Sequence, residues 1–392
     1  MRRTQLLQEI RMMRFEEAYA SWHQRGLTQE EAAYILGVSD RTFRRYINRY
    51  EESGLEGLFD RRLSQESMRK APVDEVFKLV ELYRKRYFGF TVKHFYSWYR
   101  RAHGGSRSYT WVKNTLQAKK LVKKAPKRGA HRKKRLRAPY AGMMLHQDGS
   151  THEWVEGKKW DLIITMDDAT SEHYSMFFVQ EEGTYSSFRG IRDVIEHKGL
   201  FASLYTDRGS HYWYTPKEGG KVDKGRPTQF GRAMKQLGVE MIPAYSPEAR
   251  GRCERAFKTH QGRLPKELAM VGITDMEEAN RYLGSVYRPA FNEEFTVRPT
   301  EDEDLFVKWV GGQLDDILCE QFSRTVRNDN CIVFKNLTLQ IPKDKYRCHY
   351  VKVKIKLHRY ANGNIAIFHG PRKLAEYDAK GMPLKKKKAT AA

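Results

Sequence analysis

The spacing of apolar positions changes character three times along the 392 residues. Over 9–53 it follows the helical repeat. A first helix is predicted over 9–24, with Ile10, Met13, Phe15 and Ala18 among its apolar positions and Gly26 past its end. Thr28 followed by Glu31 is a capping-box signature for a second helix. Gly37 permits a tight turn, and Ser39 caps a third helix with Phe43, Tyr46 and Ile47 on one side. Ala33 and Gly37, four positions apart, let these two helices cross closely. Together they predict a helix-turn-helix, with an ordinary helical hairpin as the plain alternative. The outward positions near the start of the third helix are Asp40, Arg41, Thr42, Arg44 and Arg45, and the last four are candidate contacts to a DNA groove.

A polar stretch, 55–72, reads as a linker. Helical spacing returns over 73–87, 91–103 and 108–121, the last with Ser108 or Thr110 near its start. Phe95, Trp98 and Tyr99 have the spacing of core residues, while base stacking is the alternative use of such rings. From 139 the period shortens. Strands are predicted over 141–155, 158–170, 173–180, 201–207 and 239–245, with helices over 184–199, 227–238 and 247–270. That order implies a mixed α/β sheet covered on both faces. After 300, short alternating strands are split by Asn-rich turns, which predicts a small β-barrel. The fold class is therefore multidomain. It comprises N-terminal all-α helix-turn-helix modules at 1–65 and 73–124, a basic linker at 125–138, a central α/β core at 139–290, a C-terminal small β-barrel at 300–380 and a basic tail at 381–392.

Charge narrows the partner. Lys and Arg number 72 against 48 acids, a net charge of +24. The stretch 82–147 has no Asp or Glu and carries 19 of the Lys and Arg. A solvated linker is the bland reading of its densest part, 119–137. One-sided cations also displace condensed counterions from phosphates, so double-stranded DNA is the expected partner. Lys119, Lys120, Lys123, Lys124, Arg132, Lys133, Lys134 and Arg135 are the candidates for backbone contact. The strand 350–360 alternates Lys with apolar residues, giving a cationic face that is either solvated or a further DNA surface. No apolar run approaches a spanning helix or a signal segment, so a membrane partner is not expected and a cytoplasmic protein is. Cys253, Cys319, Cys331 and Cys348 form no CxxC pair, which suits reduced thiols better than a disulfide frame or a zinc site.

Phosphodiester chemistry needs an activated nucleophile and a stabilised leaving oxygen, and two divalent ions roughly 4 Å apart supply both. Carboxylates from separate elements could hold them. Asp148 interrupts the first apolar strand, Asp207 ends the fourth, and Glu254 lies on the long polar helix after it. Rival acids have simpler uses. Asp167 and Asp168 end the second strand, where acids usually form turns. Glu248 suits a helix start. Glu153 and Asp161 read as surface residues. Lys258 and Gln261 share a helical face with Glu254. Lys258 could hold a phosphate there or simply pair with Glu254.

The segments HQDGS, YTDRGSHY and YSPEARGRCERAFKTHQGRL, taken in order, resemble the DDE-type transposase of bacterial insertion sequences and the retroviral-type integrases, with their ribonuclease-H-like core. The likeness runs over about 139–289. Helix-turn-helix modules before that core and a small β-barrel after it match as well. The resemblance implies that Asp148, Asp207 and Glu254 are catalytic and bind two Mg²⁺ or Mn²⁺ ions. It implies a transposase that binds the terminal inverted repeats of its own element, cuts to a 3′-hydroxyl and joins that hydroxyl to target DNA. A homo-oligomer on DNA is implied too. The chain departs from the pattern in having Arg250-Gly251 where Asn-Gly is frequent. The second gap, 46 residues against 58 for the first, is longer than the family commonly has, and 208–227 looks like the extra loop. Other readings are a non-catalytic regulator derived from such an enzyme and a structure-selective nuclease on the same core.

Overall fold

The computed structural model describes residues 3–59, 71–124, 136–217, 220–245 and 247–384. The chain divides into two compact units, Met1–Leu82 and Tyr83–Ala392. In the first, α1 (Arg3–His23), α2 (Gln29–Leu36) and α3 (Asp40–Ser53) pack around Phe15, Ala18, Ala32, Ala33, Phe43 and Ile47. The capping box forms: the Thr28 N–H donates to Glu31 Oε2 at 2.8 Å, and the Glu31 N–H donates back to Thr28 Oγ1 at 3.2 Å. Gly37 takes the left-handed conformation, φ 69°, that the tight turn needs. Helix α1 begins earlier than the sequence suggests. Ile10 and Met13 are exposed, so only its second half supplies core.

Helix α4 (Val73–Arg86) spans the division between the units and is followed by α5 (Val92–His103) and α6 (Tyr109–Ala118). Phe95 and Tyr99 are buried, which supports core use for these rings rather than base stacking. Hydrogen bonds fasten α5 to the body of the second unit. His94 Nε2 lies 2.7 Å from Glu267 Oε1, and Ser97 Oγ donates to Glu294 at 2.6 Å.

The central sheet contains β1 (Met144–Val155), β2 (Lys158–Asp167), β3 (His173–Val179), β4 (Ser203–Thr206) and β5 (Glu240–Pro243). Their order is β3-β2-β1-β4-β5, with β1 to β3 antiparallel and β4 and β5 parallel to β1. Helices α7 (Thr184–His197) and α8 (Gln229–Leu237) cover one face, against Leu145 and Leu204. Helices α9 (Pro247–Val271), α10 (Met276–Tyr282) and α11 (Arg288–Phe295) cover the other, against Leu162, Ile164 and Met166. The expected α/β core with helices on both faces is present.

Helix α7 approaches its face closely at Gly190, where a Cβ would meet Gln147 Nε2 at 2.4 Å and Thr165 Oγ1 at 2.9 Å. Both atoms belong to a buried hydrogen-bonded pair, Gln147 Nε2 donating to Thr165 Oγ1 at 3.0 Å. Gly190→Ala is therefore expected to destabilise the second unit by about 1–3 kcal/mol, read as a lower urea midpoint with an unchanged slope.

The C-terminal region does not close into the expected barrel. Strands β6 (Glu320–Thr325), β9 (Lys354–Arg359), β10 (Ile365–His369) and β11 (Arg372–Tyr377) form an open sheet, ordered β11-β10-β9-β6. Strands β7 (Cys331–Phe334) and β8 (Leu337–Gln340) form a separate pair. The reason is local. Lys335 and Asn336 both have positive φ, 47° and 64°, which makes a two-residue hairpin turn that pairs β7 with β8. The two sheets share one core through Ile332, Phe334, Leu339, Ile355, Leu357 and Ile367. Gln229 on α8 clips this region to the central layer, its Oε1 accepting from the Gln321 N–H and its Nε2 donating to the Gln321 carbonyl, both at 2.9 Å.

Cys253, Cys319, Cys331 and Cys348 form no disulfide with one another. Among the described residues, no helix is long and apolar enough to cross a membrane.

Candidate active site

Strand β1 carries Asp148 and β4 leads directly to Asp207. The two strands run parallel with His146 opposite Tyr205. Asp148 stands two residues further along β1, and Asp207 follows directly on the end of β4, two residues past Tyr205. Alternation puts Asp148 on the face of His146, whose ring lies 5.1 Å from that of Tyr205. Each aspartate has one oxygen fastened locally. Gly149 N–H donates to Asp148 Oδ1 at 3.1 Å, and Gly209 N–H donates to Asp207 Oδ1 at 2.9 Å.

Helix α9 lies over this same face. Gln261 Nε2 donates to Ser150 Oγ at 3.1 Å, and Arg252 pairs with Asp168, which holds His146 Nε2 at 2.7 Å. The path from His146 to Ser150 is about 13–14 Å of strand, and that from Arg252 to Gln261 is about 13–14 Å of helix. Strand and helix thus run side by side in one direction, with Asp148 two residues past His146 and Glu254 two residues past Arg252. Glu254 itself is exposed, as is Lys258 one turn on. The gathering is looser than a closed coordination sphere: among the described residues no three His, Cys, Asp or Glu side chains are arranged to hold a metal ion. The donors nonetheless fit a hard divalent cation, being carboxylate oxygens with no thiolate or imidazole among them.

Glu182 is a neighbour that the sequence did not reveal. A Cβ on Gly149 would fall 2.2 Å from its Oε2. Its Oε1 lies 3.4 Å from the Tyr212 hydroxyl and 3.5 Å from His211 Nε2. Its backbone N–H donates to Asp161 Oδ2 at 2.7 Å. Asp161 is therefore buried and employed, not the surface residue its position suggested. Burial pushes the Tyr212 phenol well above its ordinary range, and the negative charges of Glu182, Asp148 and Asp207 add to that. The only sequence signal for Glu182 was an acidic pair after the third strand.

The rival acids have structural work. Asp167 is buried, accepting from the Thr170 and Gly142 N–H groups at 2.8 and 2.9 Å, as a turn-former should. Burial raises its pKa against those bonds. Asp168 is buried too. Burial works to raise its pKa, but bonds from His146 and the Ala138 N–H and the charge of Arg252 bring it down to about 2. A cavity of about 470 Å³ lies elsewhere, lined by residues that include Tyr185, Arg192, Tyr360 and Lys373. Its cations already pair with Asp315 and Glu376.

Of the candidate DNA contacts, Arg41, Arg44 and Arg45 are exposed on α3, while the Thr42 hydroxyl is tied to Ser39 Oγ at 2.9 Å. Lys119, Lys120, Lys123 and Lys124 are exposed. Arg132, Lys133, Lys134 and Arg135, and the basic tail from residue 385, lie outside the described residues.

A helical module ahead of an α/β sheet flanked by a long acid-bearing helix is the arrangement that the resemblance to transposases implied. Comparison with known proteins agrees. A winged helix-turn-helix family model matches residues 22–71. A putative transposase of Sinorhizobium fredii is 26% identical over 87% of this chain and 75% of its own length. The transposase for an insertion sequence of Streptococcus pneumoniae is 32% identical over 41% of this chain, about a third (34%) of that protein. The HTLV-2 integrase catalytic core domain, solved in complex with magnesium, is 14% identical over 38% of this chain and 87% of its own, with a TM-score of 0.29, too loose a likeness to bear on the site. The chain is thus similar to insertion-sequence transposases, with a winged helix-turn-helix match in its N-terminal part.

Proposed function

We propose that the chain is a DNA transposase that binds the terminal inverted repeats of its own element, cuts there and joins the freed end to target DNA. What supports this reading is the parallel pairing of β1, which carries Asp148, with β4, which leads into Asp207, and the packing of the helix that bears Glu254 against β1. The excess of cations supports it, as do the transposase relatives. Asp148, Asp207 and Glu254 are the residues that would hold two Mg²⁺ or Mn²⁺ ions. Bound there, such ions supply charge stabilisation to the phosphate oxygens and lower the pKa of water. Glycine N–H groups hold Asp148 and Asp207 in place, and Glu254 is brought in by the helix. Hydrolysis breaks a P–O3′ bond and leaves a 3′-hydroxyl and a 5′-phosphate. The 3′-hydroxyl then attacks a target phosphodiester, releasing that strand's own 3′-oxygen, so no covalent enzyme intermediate is required. Lys258 is placed to neutralise a phosphate beside this site, and the α3 arginines to read the repeat. A homo-oligomer holding two DNA ends fits the same reading.

The test is to incubate the full chain with Mg²⁺ or Mn²⁺ and duplexes bearing the candidate inverted repeats that flank its gene. Cleaved 3′-hydroxyl ends and products joined to a second duplex are expected. Binding without cutting would replace this reading with that of a regulator. Cutting confined to branched DNA, without strand transfer, would make the protein a nuclease.

Arg44→Ala is expected to weaken binding to the end sequence by roughly 10–100-fold and binding to a scrambled duplex much less. Fluorescence anisotropy on both duplexes measures this, and equal losses would reduce Arg44 to a phosphate contact.

A further inference from the structure

We propose that Asp168 is a positioning residue whose carboxylate clasps the helix bearing Glu254 to the strand bearing Asp148. The inference rests on the reading of those two acids given above. Asp168 follows directly on β2 and is fully buried, yet three separate segments converge on its side chain. His146 Nε2, on β1, lies 2.7 Å from Oδ1. The Arg252 guanidinium, on α9, reaches the same oxygen. The Ala138 N–H, where the chain arrives from the basic linker, donates to Oδ2 at 2.7 Å.

The positions of these donors give the clasp its meaning. His146 stands two residues before Asp148 on the same strand face, and Arg252 stands two residues before Glu254. One carboxylate therefore sets the spacing between the elements that carry the first and third acids. The clasp is braced further. The Asp168 N–H donates to the Met144 carbonyl at 3.0 Å, Arg252 donates its other terminal nitrogen to the Leu136 carbonyl at 2.8 Å, and Arg137 donates to the Asp168 carbonyl at 2.8 Å. His146 Nδ1 is buried without a hydrogen-bond partner, so the bond to Asp168 is what fixes that ring's orientation and tautomer. The groups facing the carboxylate are the His146 imidazole, the Arg252 guanidinium and a backbone amide. That donor set leaves Asp168 engaged and unsuited to bind metal. Its work is to hold α9 at the height where Glu254 meets the level of Asp148.

The test uses the full chain with Arg252→Ala, Arg252→Lys and Asp168→Asn. Hydrogen exchange over 251–262 is read against 158–167 as an internal reference. Mn²⁺ binding is read from the loss of the free-ion paramagnetic signal, and cleavage is followed across Mn²⁺ concentrations. In Arg252→Ala, exchange over 251–262 should accelerate by roughly tenfold while the reference segment stays put. The Mn²⁺ half-saturation should rise by roughly tenfold, the usual scale for losing an outer support of a ligand. The change should fall more on half-saturation than on the rate at saturating Mn²⁺. Arg252→Lys keeps a cation within reach of Asp168 and should recover most of both losses. Unchanged exchange and unchanged Mn²⁺ binding in Arg252→Ala would overturn the clasp. So would equal losses in Arg252→Lys and Arg252→Ala with a lowered melting temperature in both, which would mark a merely structural contact. If Asp168→Asn fails to fold, the two Arg252 variants, altered on a partly exposed side chain, still decide. Accelerated exchange in a protein whose wild type neither binds Mn²⁺ nor cuts would leave the clasp standing and remove the catalytic reading beneath it.

Discussion

Asp148→Asn is expected to abolish DNA cleavage, by at least about 10³-fold, while leaving affinity for the element end within a factor of about three. The substitution keeps size and one acceptor oxygen but removes the charge that a hard cation requires. Position argues for the same result at Asp207→Asn, because β4, which leads into Asp207, pairs in parallel with the strand that carries Asp148. Glu254→Gln should match them if the helix brings that residue into the same ion. Its exposure makes it the most informative of the three. Chelation of divalent metal should reproduce the loss in the unaltered protein, and added Mn²⁺ should restore it there and not in the variants. A gel-based cleavage assay beside an anisotropy measurement of end binding separates the two functions. Retained cutting by any one variant would remove that residue from the site.

Acidification from pH 7 to pH 5 is expected to destabilise the second unit by several kcal/mol. Burial holds the His173 and His358 imidazoles at about 4, and pushes His260 well below its ordinary range. His173 and His260 face each other across α9 and β3, Nε2 to Nε2 at 3.1 Å, a contact that excludes two protonated rings. A depressed histidine pKa means that the unfolded chain binds more protons than the folded one. Stability is therefore full above pH 6.5 and is lost as the pH falls toward about 4. Each such site contributes roughly 2 kcal/mol of loss by pH 5. The depressed Asp168 carboxylate does not offset this, since its own contribution is full above about pH 4 and is lost only as the pH falls from there toward about 2. Urea melts at the two pH values measure the sum. His358→Met, which replaces a buried ring stacked on Phe368, should flatten the dependence by about one such increment. A slope unchanged by that substitution would show that His358 titrates normally in the fold.

Much of the core was legible because its signals are local. Thr28, Glu31, Gly37 and Ser39 announce the helix-turn-helix through capping and turn chemistry. The strand-like run around Asp148 and the run ending at Asp207 both form, and they meet in parallel register. What the sequence hid is non-local. Nothing near Glu182 shows that it would fold against Gly149, thirty-three positions away, nor that Asp161 would be buried to hold its amide. Asp168 reads as a turn acid until three distant donors are seen to converge on it. The barrel expectation failed for the same kind of reason. Strand alternation reports which residues face a core, while closure depends on which edges find partners, and here a two-residue turn pairs β7 with β8.

The Gln229 clip has a mechanical corollary. It imitates one rung of a strand ladder, with donor and acceptor both spent on the Gln321 backbone, and Tyr185 adds a bond to Glu320 at 2.9 Å. The exposed lysines at 352, 354 and 356 stand on or next to β9, the strand paired with β6, so the clip links them to α8 and the central sheet. If a long anion lies along them, that link fixes the distance at which it would reach the proposed site.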